Sequence, residues 1–265
     1  MEKNLWKHIL AVKQQSPLVH NITNYVVMNT TANALLAIGA SPVMSHSKSE
    51  VKEMTHISNS LVINIGTLDE YWAEAMVMAA ETAHSQHKPW ILDPVGAGAT
   101  SHRDDLLGRL LSYQPHVIRG NASEIIALAR VNKTATKGVD STASSDEAID
   151  AARSLSQQHN NTVCISGKTD IIINQQQTIF IHNGHLLMTK VTGLGCSATA
   201  IIGAFLGTTD NVTEAVAAGM GLLGVSGELA AKQSAGPGSL QMNILDKLYN
   251  ISEKEFKDHL KISIS

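Results

Sequence analysis

The 265-residue sequence contains few cysteines and few aromatic residues, and its positive and negative charges are nearly balanced. Its two cysteines, Cys164 and Cys196, offer neither a disulfide framework nor the paired spacing of a metal site, and they favour a reducing, cytoplasmic setting. Aromatic residues make up 4% of the chain, so aliphatic side chains, methionine and alanine must form the core. The net charge of −3, with histidine taken as neutral, comes without a basic block or an acidic tail, which argues against nucleic acid or an anionic membrane as a partner.

The sequence also lacks an uninterrupted apolar segment of membrane-spanning length. Its most apolar region, residues 196–231, is broken by the polar residues 208–211 and by Glu214 and Glu228, and it therefore predicts two buried helices. Near the amino terminus, charged and apolar residues alternate in a way that predicts an amphipathic helix over residues 3–15 and not a signal peptide.

Apolar segments typical of strands alternate with helical patterns along the chain. The predicted strands cover residues 18–24, 42–45, 60–66, 89–93, 116–121 and 162–167, and helices are expected between them. This alternation is typical of a parallel sheet covered by helices on both faces. Residues 170–174 and 177–182 predict a hairpin, residues 132–145 a surface excursion, and residues 197–207, 212–233 and 239–249 the last helices. No shift in composition marks a boundary, so we expect a single domain over residues 1–265.

A glycine-rich turn stands before the helix predicted at residue 197. Residues 191–196 (VTGLGC) contain two glycines, Gly193 and Gly195, directly ahead of Cys196. The first amides of a helix lack intrahelical partners and carry the positive end of the dipole, so this turn is a candidate phosphate site. The same pattern also serves as a plain tight connection, and that interpretation stays open here. A thiol at a helix start tends toward the thiolate, which makes Cys196 a candidate reactive group.

Polar side chains gather at the predicted carboxyl ends of the strands, where open α/β sheets bind their ligands. These strand-end residues are, in chain order, His20, Asn21, Thr23, Asn24, Met44, Ser45, Asn64, Asp93, Arg119, Asn121, Glu124 and Ser166. Carboxylates beside an anion-binding turn suit Mg²⁺ and a nucleoside triphosphate. Structural roles are open as well: a turn at Asp93, a helix-start acid at Glu124 and an ion pair at Arg119. The glycine-rich loops of the common nucleotide-binding folds are absent from the sequence.

Four segments together resemble the hydroxyethylthiazole kinase family of the ribokinase-like superfamily. They are residues 19–24 (VHNITN), 93–100 (DPVGAGAT), 117–125 (VIRGNASEI) and 191–197 (VTGLGCS), in the order of that family. The resemblance implies a three-layer α/β/α fold with a mostly parallel central sheet. It implies transfer of the γ-phosphate of ATP to the primary alcohol of 4-methyl-5-(2-hydroxyethyl)thiazole in thiamine biosynthesis or salvage. It further implies dependence on Mg²⁺ and a homotrimer with active sites between subunits.

The resemblance also assigns roles to single residues. It assigns Met44, Gly193 and Asn24 to the thiazole, Arg119, Ser166 and Gly195 to ATP, and Asp93 and Glu124 to the metal. Cys196 would lie beside the acceptor hydroxyl, where the wider superfamily carries an aspartate that takes the hydroxyl proton. We interpret Cys196 as a residue that orients the alcohol and at most assists proton removal, which leaves the identity of the base open.

Three other functions stay under consideration. A kinase of the same fold that phosphorylates a hydroxymethylpyrimidine or a pyridoxal-type alcohol would need the same phosphate machinery. A cysteine-nucleophile enzyme built on Cys196 needs a histidine beside it, and the sequence places none there. A catalytically silent binding protein would leave the acidic and glycine motifs without a purpose.

Overall fold

The computed structural model describes residues 5–131 and 145–265. The strands of this part of the chain form one nine-stranded sheet with the order β2-β1-β3-β4-β5-β6-β7-β8-β9. They are β1 (Leu18–Ile22), β2 (Ser41–Val43), β3 (Ser60–Asn64), β4 (Trp90–Asp93), β5 (Val117–Asn121), β6 (Thr162–Ser166), β7 (Asp170–Ile173), β8 (Thr178–Ile181) and β9 (Ile262–Ile264). Strands β1 to β6 are parallel, and β7, β8 and β9 continue the sheet in antiparallel pairs.

Helices cover both faces of this sheet. They are α1 (Trp6–Gln15), α2 (Met28–Ala37), α3 (Val51–Ile57), α4 (Glu70–Ser85), α5 (Ser101–Leu111), α6 (Ala122–Val131), α7 (Ser145–His159), α8 (Leu194–Leu206), α9 (Val212–Ala231), α10 (Pro237–Asn250) and α11 (Glu253–His259). A 3₁₀ helix, Leu186–Lys190, precedes α8. No helix within the described ranges has the length and apolar character needed to span a lipid bilayer.

The side chains of β3 show how one strand serves two cores. Val62 points into the apolar cluster that contains α1, α2, α8, α9 and α10, whereas Leu61 and Ile63 point into the cluster that contains α4 to α7. This follows from the alternation of side chains along a strand. The two clusters with the sheet between them make the three-layer α/β/α arrangement, which confirms the predicted fold class.

Helix α8 lies directly against the sheet, and this contact positions the site. A Cβ atom on Gly203 would lie 2.4 Å from Val62 Cγ2, so glycine permits the close approach. The hydroxyl of Ser60 donates to the Gly203 carbonyl at 2.6 Å. From Ser197 to Leu206 every residue of α8 is buried. The helix is thereby fixed with its amino terminus at the edge where the parallel strands end.

The structure corrects several predicted boundaries. Strand β1 ends at Ile22, two residues before the predicted end at residue 24, and α2 begins at Met28 after an uncapped Val27. Helix α8 begins at Leu194, three residues earlier than predicted, and α11 and β9 were not predicted. Residues 3–4 of the first predicted helix lie outside the described residues, as does the predicted surface excursion apart from Ser145.

Candidate active site

Neighbouring strands bring the strand-end residues together at one edge of the sheet. Strands β1, β3, β4, β5 and β6 lie side by side and run in the same direction. Their carboxyl ends present, in the order of the sheet, Asn24, Asn64, Asp93, Arg119 and Ser166. The amino terminus of α8 reaches the same edge. Residues that are far apart in the sequence therefore form one polar site.

Asp93 is the most buried acid of this site, with 1% of its surface exposed. Its Oδ2 accepts hydrogen bonds from Asn64 Nδ2 at 2.7 Å and Thr199 Oγ1 at 2.8 Å. Arg119 Nη1 lies 3.9 Å from the same oxygen. Oδ1 is buried and has no hydrogen-bond partner among the described residues. Burial raises the pKa of Asp93 to about 6, although Arg119 opposes this shift. At neutral pH a buried carboxylate thus keeps one oxygen free for a ligand.

Two asparagines connect Asp93 with Cys196. Asn64 Oδ1 accepts from Asn24 Nδ2 at 2.8 Å and from the Gly66 amide at 3.0 Å. Asn24 Nδ2 also lies 3.5 Å from Cys196 Sγ, to which it donates. Sequence reasoning noted Asn64 only as a strand-end residue and gave it no role. Its position at the end of β3, between β1, which leads to Asn24, and β4, which ends at Asp93, is the signal that would have revealed this bridge.

Thr199 is a second site residue that sequence reasoning missed. It is fully buried and donates from Oγ1 to Asp93 Oδ2. Thr199 follows Cys196 by three residues in α8, so both side chains lie on the same face of the helix. A helix that begins at Leu194 includes both residues, and with that start the spacing would have predicted that Thr199 lies beside Cys196.

Cys196 is a thiol and not a thiolate in this environment. Burial raises the pKa of Cys196, and the negative charge of Asp93 raises it further, against weaker opposition from Asn64 and Asn24. The expectation that a helix start would favour the thiolate is not met, because burial and the charge of Asp93 both raise the pKa of this thiol. The buried ring of His20 bonds to Thr55 Oγ1 and the Ser45 carbonyl, and not to Cys196. This geometry disfavours a cysteine-nucleophile enzyme.

The backbone conformation of the glycine-rich turn, residues 191–196, requires glycine at position 193. This residue is the N-cap of α8 with a φ of 80°, and a Cβ there would lie 2.5 Å from Val27 Cγ1. The Ser197 amide bonds to the Gly193 carbonyl at 2.9 Å. The amides of residues 194–196 precede that bond and have no partner within the helix. They point out of the helix start, as an anion site requires.

Arg119 lies beside these amides. A Cβ on Gly195 would lie 2.8 Å from Arg119 Nη1, so the guanidinium packs directly on this glycine. Arg119 Nη2 donates to Ser166 Oγ at 2.7 Å. The structure thus brings Arg119, Ser166 and Gly195 together, as the resemblance implied. A fixed guanidinium next to helix amides makes a strongly anion-attracting cluster.

Glu124 lies in the first turn of α6, near Asp93. Its Oε1 accepts from the Gly96 amide at 3.1 Å, and its Oε2 accepts from the Asn121 amide at 2.8 Å. Glu124 therefore does act as a helix-start acid, and it also holds the loop after β4. Within residues 5–131 and 145–265, no three side chains of histidine, cysteine, aspartate or glutamate come together as a metal site.

Met44 lies at the end of β2, next to β1, with its side chain partly exposed.

A cavity of about 790 Å³ opens from this cluster along the sheet edge. One end contains Arg119, Ser166 and Gly195, whereas Met220 and Leu223 line an apolar wall. Pockets of this size accommodate a cofactor or a small ligand. Its polar end and apolar wall suit a ligand with an anionic group and a flat ring.

Comparisons with known proteins agree with this geometry. The model of the hydroxyethylthiazole kinase family matches residues 9–254. A hydroxyethylthiazole kinase of Syntrophus aciditrophicus is 52% identical over 261 residues, covering 98% of this chain and 97% of the relative. One of Photobacterium profundum is 51% identical over 254 residues, covering 96% and 91%.

Solved structures give the same result. The hydroxyethylthiazole kinase protein of Pyrococcus horikoshii superposes with a TM-score of 0.92 at 39% identity and covers 99% of each chain. Bacillus subtilis pyridoxal kinase, solved as an ADP complex, superposes with a TM-score of 0.61 at 15% identity over 79% of this chain and 91% of its own, a likeness of fold alone. From the sequence match, the superposition and the site, the chain belongs to the hydroxyethylthiazole kinase family.

Proposed function

We propose that this enzyme transfers the γ-phosphoryl group of ATP to the primary alcohol of 4-methyl-5-(2-hydroxyethyl)thiazole, a step of thiamine biosynthesis or salvage. One observation carries the proposal: the anion-attracting cluster of Arg119 and the α8 amides adjoins a buried carboxylate, Asp93, and a neutral thiol, Cys196. Phosphoryl transfer depends mainly on positioning and on stabilising negative charge, and these groups supply both.

The phosphate end of the reaction lies at α8. The amides of residues 194–196 and the Arg119 guanidinium bind the transferred phosphoryl group and stabilise the charge on its oxygens. Ser166 holds Arg119 in place through its hydroxyl and adds a contact to ATP. The cavity beyond Ser166 takes the rest of the nucleotide.

The acidic side chains fit a magnesium ion. Asp93 offers a buried oxygen, Oδ1, without a hydrogen-bond partner among the described residues, and Glu124 holds its carboxylate close by. Mg²⁺ is commonly bound through one or two carboxylates together with substrate phosphates, so two acids suffice. When bound, the ion neutralises charge on the triphosphate. We assign Asp93 and Glu124 to it, and Asn64 and Thr199 hold the Asp93 carboxylate in position.

The acceptor alcohol lies near Cys196. The protonated thiol and Asn24 orient the hydroxyl toward the phosphoryl group, with Gly193 and Met44 assigned to the thiazole ring. A thiol of raised pKa is a poor base, and a loose transition state needs little help from one. Cys196 therefore acts through orientation.

The proposal extends to assembly and setting. We propose one catalytic domain over residues 1–265 and a homotrimer whose subunits meet at the active sites. Tyr25 and Val26, with 61% and 63% of their surface exposed, directly follow Asn24 and present an apolar surface for a neighbouring subunit. The unpaired thiols Cys164 and Cys196 suit a reducing cytoplasm. Light scattering of the purified protein tests the trimer, and a monomer mass would refute it.

The activity is tested with a panel of alcohols. The protein is incubated with ATP, MgCl₂ and the thiazole alcohol, hydroxymethylpyrimidine, pyridoxal or ribose, and ADP and the phosphorylated product are measured. We expect turnover with the thiazole alcohol and its loss when EDTA replaces MgCl₂. Preferred turnover of pyridoxal or hydroxymethylpyrimidine would favour the related kinase. A folded sample that releases no ADP with any alcohol refutes the kinase function.

A further inference from the structure

A carboxylate inside the nucleotide cavity has no role in the site as described so far. Asp170 begins β7, lines the 790 Å³ cavity and exposes 8% of its surface. Its Oδ1 accepts a hydrogen bond from the Gly167 amide at 3.0 Å. Its Oδ2 makes no hydrogen bond to any residue that the structure describes. A buried acid in a cavity for a polyanion is unfavourable unless it meets a hydrogen-bond donor.

The sheet fixes where Asp170 lies along the nucleotide. Ile165 pairs with Ile171 in the antiparallel β6–β7 ladder, which puts Asp170 beside Ser166 at the carboxyl edge of the parallel strands. Asp93, on β4, is three strands away in the order β4-β5-β6-β7. At the usual spacing of strands this separation is about 14 Å. Asp170 therefore lies well beyond the point of phosphoryl transfer.

The cavity extends in one direction from the phosphate end. It runs from Arg119 past Ser166 and Asp170 to Asn183 at the end of β8, with Met220 and Leu223 as its apolar wall. A nucleoside triphosphate whose γ-phosphate lies at α8 places its ribose beyond Ser166 and its base against that wall. The position next to Ser166 is the position of Asp170.

We propose that Asp170 accepts a hydrogen bond from a ribose hydroxyl of the bound nucleotide and so selects ribonucleotides. The proposal rests on the ATP site of the proposed function. A ribose hydroxyl is a neutral donor, and a hydrogen bond from it to a carboxylate is of the strong, charge-assisted kind. Removing the hydroxyls leaves Oδ2 buried against the ligand without a partner, which is the costly arrangement.

The test compares ATP with 2′-deoxy-ATP, 3′-deoxy-ATP and 2′,3′-dideoxy-ATP as phosphoryl donors. For the wild-type enzyme we expect kcat/KM to fall about 10-fold or more with the dideoxy nucleotide, the effect of one charge-assisted hydrogen bond. Asp170→Asn keeps a carbonyl oxygen for the Gly167 amide but loses the charge. This variant is expected to lose most of the discrimination, through a lower kcat/KM with ATP and a nearly unchanged one with dideoxy-ATP. Ser166→Ala is the matched control and should lower kcat/KM equally for all four nucleotides.

Measuring the affinities of ATP and dideoxy-ATP by calorimetry, without the alcohol, tests the role of Asp170 independently of the proposed function. Weaker binding of dideoxy-ATP in a protein that phosphorylates no alcohol would support the role of Asp170 and refute the kinase function. Equal use of ATP and dideoxy-ATP by the wild-type enzyme would overturn the role of Asp170 without any variant. Equal losses for every nucleotide in Asp170→Asn would overturn it too, because a residue that only holds the turn acts on all nucleotides alike.

Discussion

Gly195 offers a substitution that should separate catalysis from folding. An added Cβ would lie 2.8 Å from Arg119 Nη1 and 3.2 Å from Nη2, so the guanidinium must move away. That movement breaks the 2.7 Å bond to Ser166 Oγ and removes a donor from the phosphate end. Loss of one such donor costs about 10²–10³ in kcat. Alanine itself suits the second position of α8, because it is favoured over glycine in helices by about 0.5–1 kcal/mol.

We therefore expect Gly195→Ala to lose 100-fold or more in kcat, an order of magnitude set by one oxyanion donor, with a free energy of unfolding close to the wild-type value. Gly238→Ala is the matched control: Gly238 is also the second residue of its helix, α10, and a Cβ there meets nothing within 4 Å. This control should match the wild type in kcat and gain slightly in stability. Steady-state kinetics and urea unfolding measure both quantities. If Gly195→Ala keeps kcat within a few-fold of the wild type, the role assigned to Arg119 is wrong.

Substitutions at three further residues probe the remaining groups. Cys196→Ala should keep measurable turnover, and Cys196→Asp should not exceed it greatly; inactive Ala with fully active Asp in a steady-state assay would show that a base is needed there. Asp93→Asn should abolish turnover yet be at least as stable as the metal-free wild type at pH 7, since burial raises the pKa of Asp93 to about 6 and so penalises its ionised form. That advantage should shrink between pH 6 and 4 in urea unfolding, as the native carboxyl takes up its proton before the unfolded one; an advantage independent of pH would contradict this. Gly193→Ala should lower the free energy of unfolding by about 1–3 kcal/mol through backbone strain, because φ is 80° and Val27 blocks a Cβ, and it should lower kcat as well. An unfolding free energy equal to that of the wild type would refute the strain.

Part of this molecule could be predicted from its sequence because the signals are local. The apolar strands separated by helical patterns indicated a parallel sheet, and Asp93, Arg119 and Ser166 were expected at its edge since each lies at or near the carboxyl end of a strand. The structure brings Arg119 and Ser166 into contact and sets Arg119 close to Asp93. The two glycines, Gly193 and Gly195, each meet a neighbour that leaves no room for a side chain.

The remainder depended on neighbours that are distant in the sequence. Asn64 and Thr199 gained their roles only when β3, β4 and α8 came together around Asp93. The protonation of Cys196 follows from burial, which no local pattern reports. Strand β9 is short and largely exposed, and it exists because β8 offers it an edge. Asp170 looked like an ordinary hairpin residue until the cavity beside it was defined.

The close contact between Gly203 and Val62 links the packing of the hydrophobic core to the position of the phosphate-binding amides. Helix α8 cannot sink further toward the sheet, and its amino terminus carries the amides that receive the phosphate. A larger side chain at either position would lift or tilt the helix and move those amides relative to Arg119. Substitutions at the opposite end of this helix, far from any ligand, should therefore change kcat first. Libraries of variants designed to alter turnover can accordingly target buried core positions.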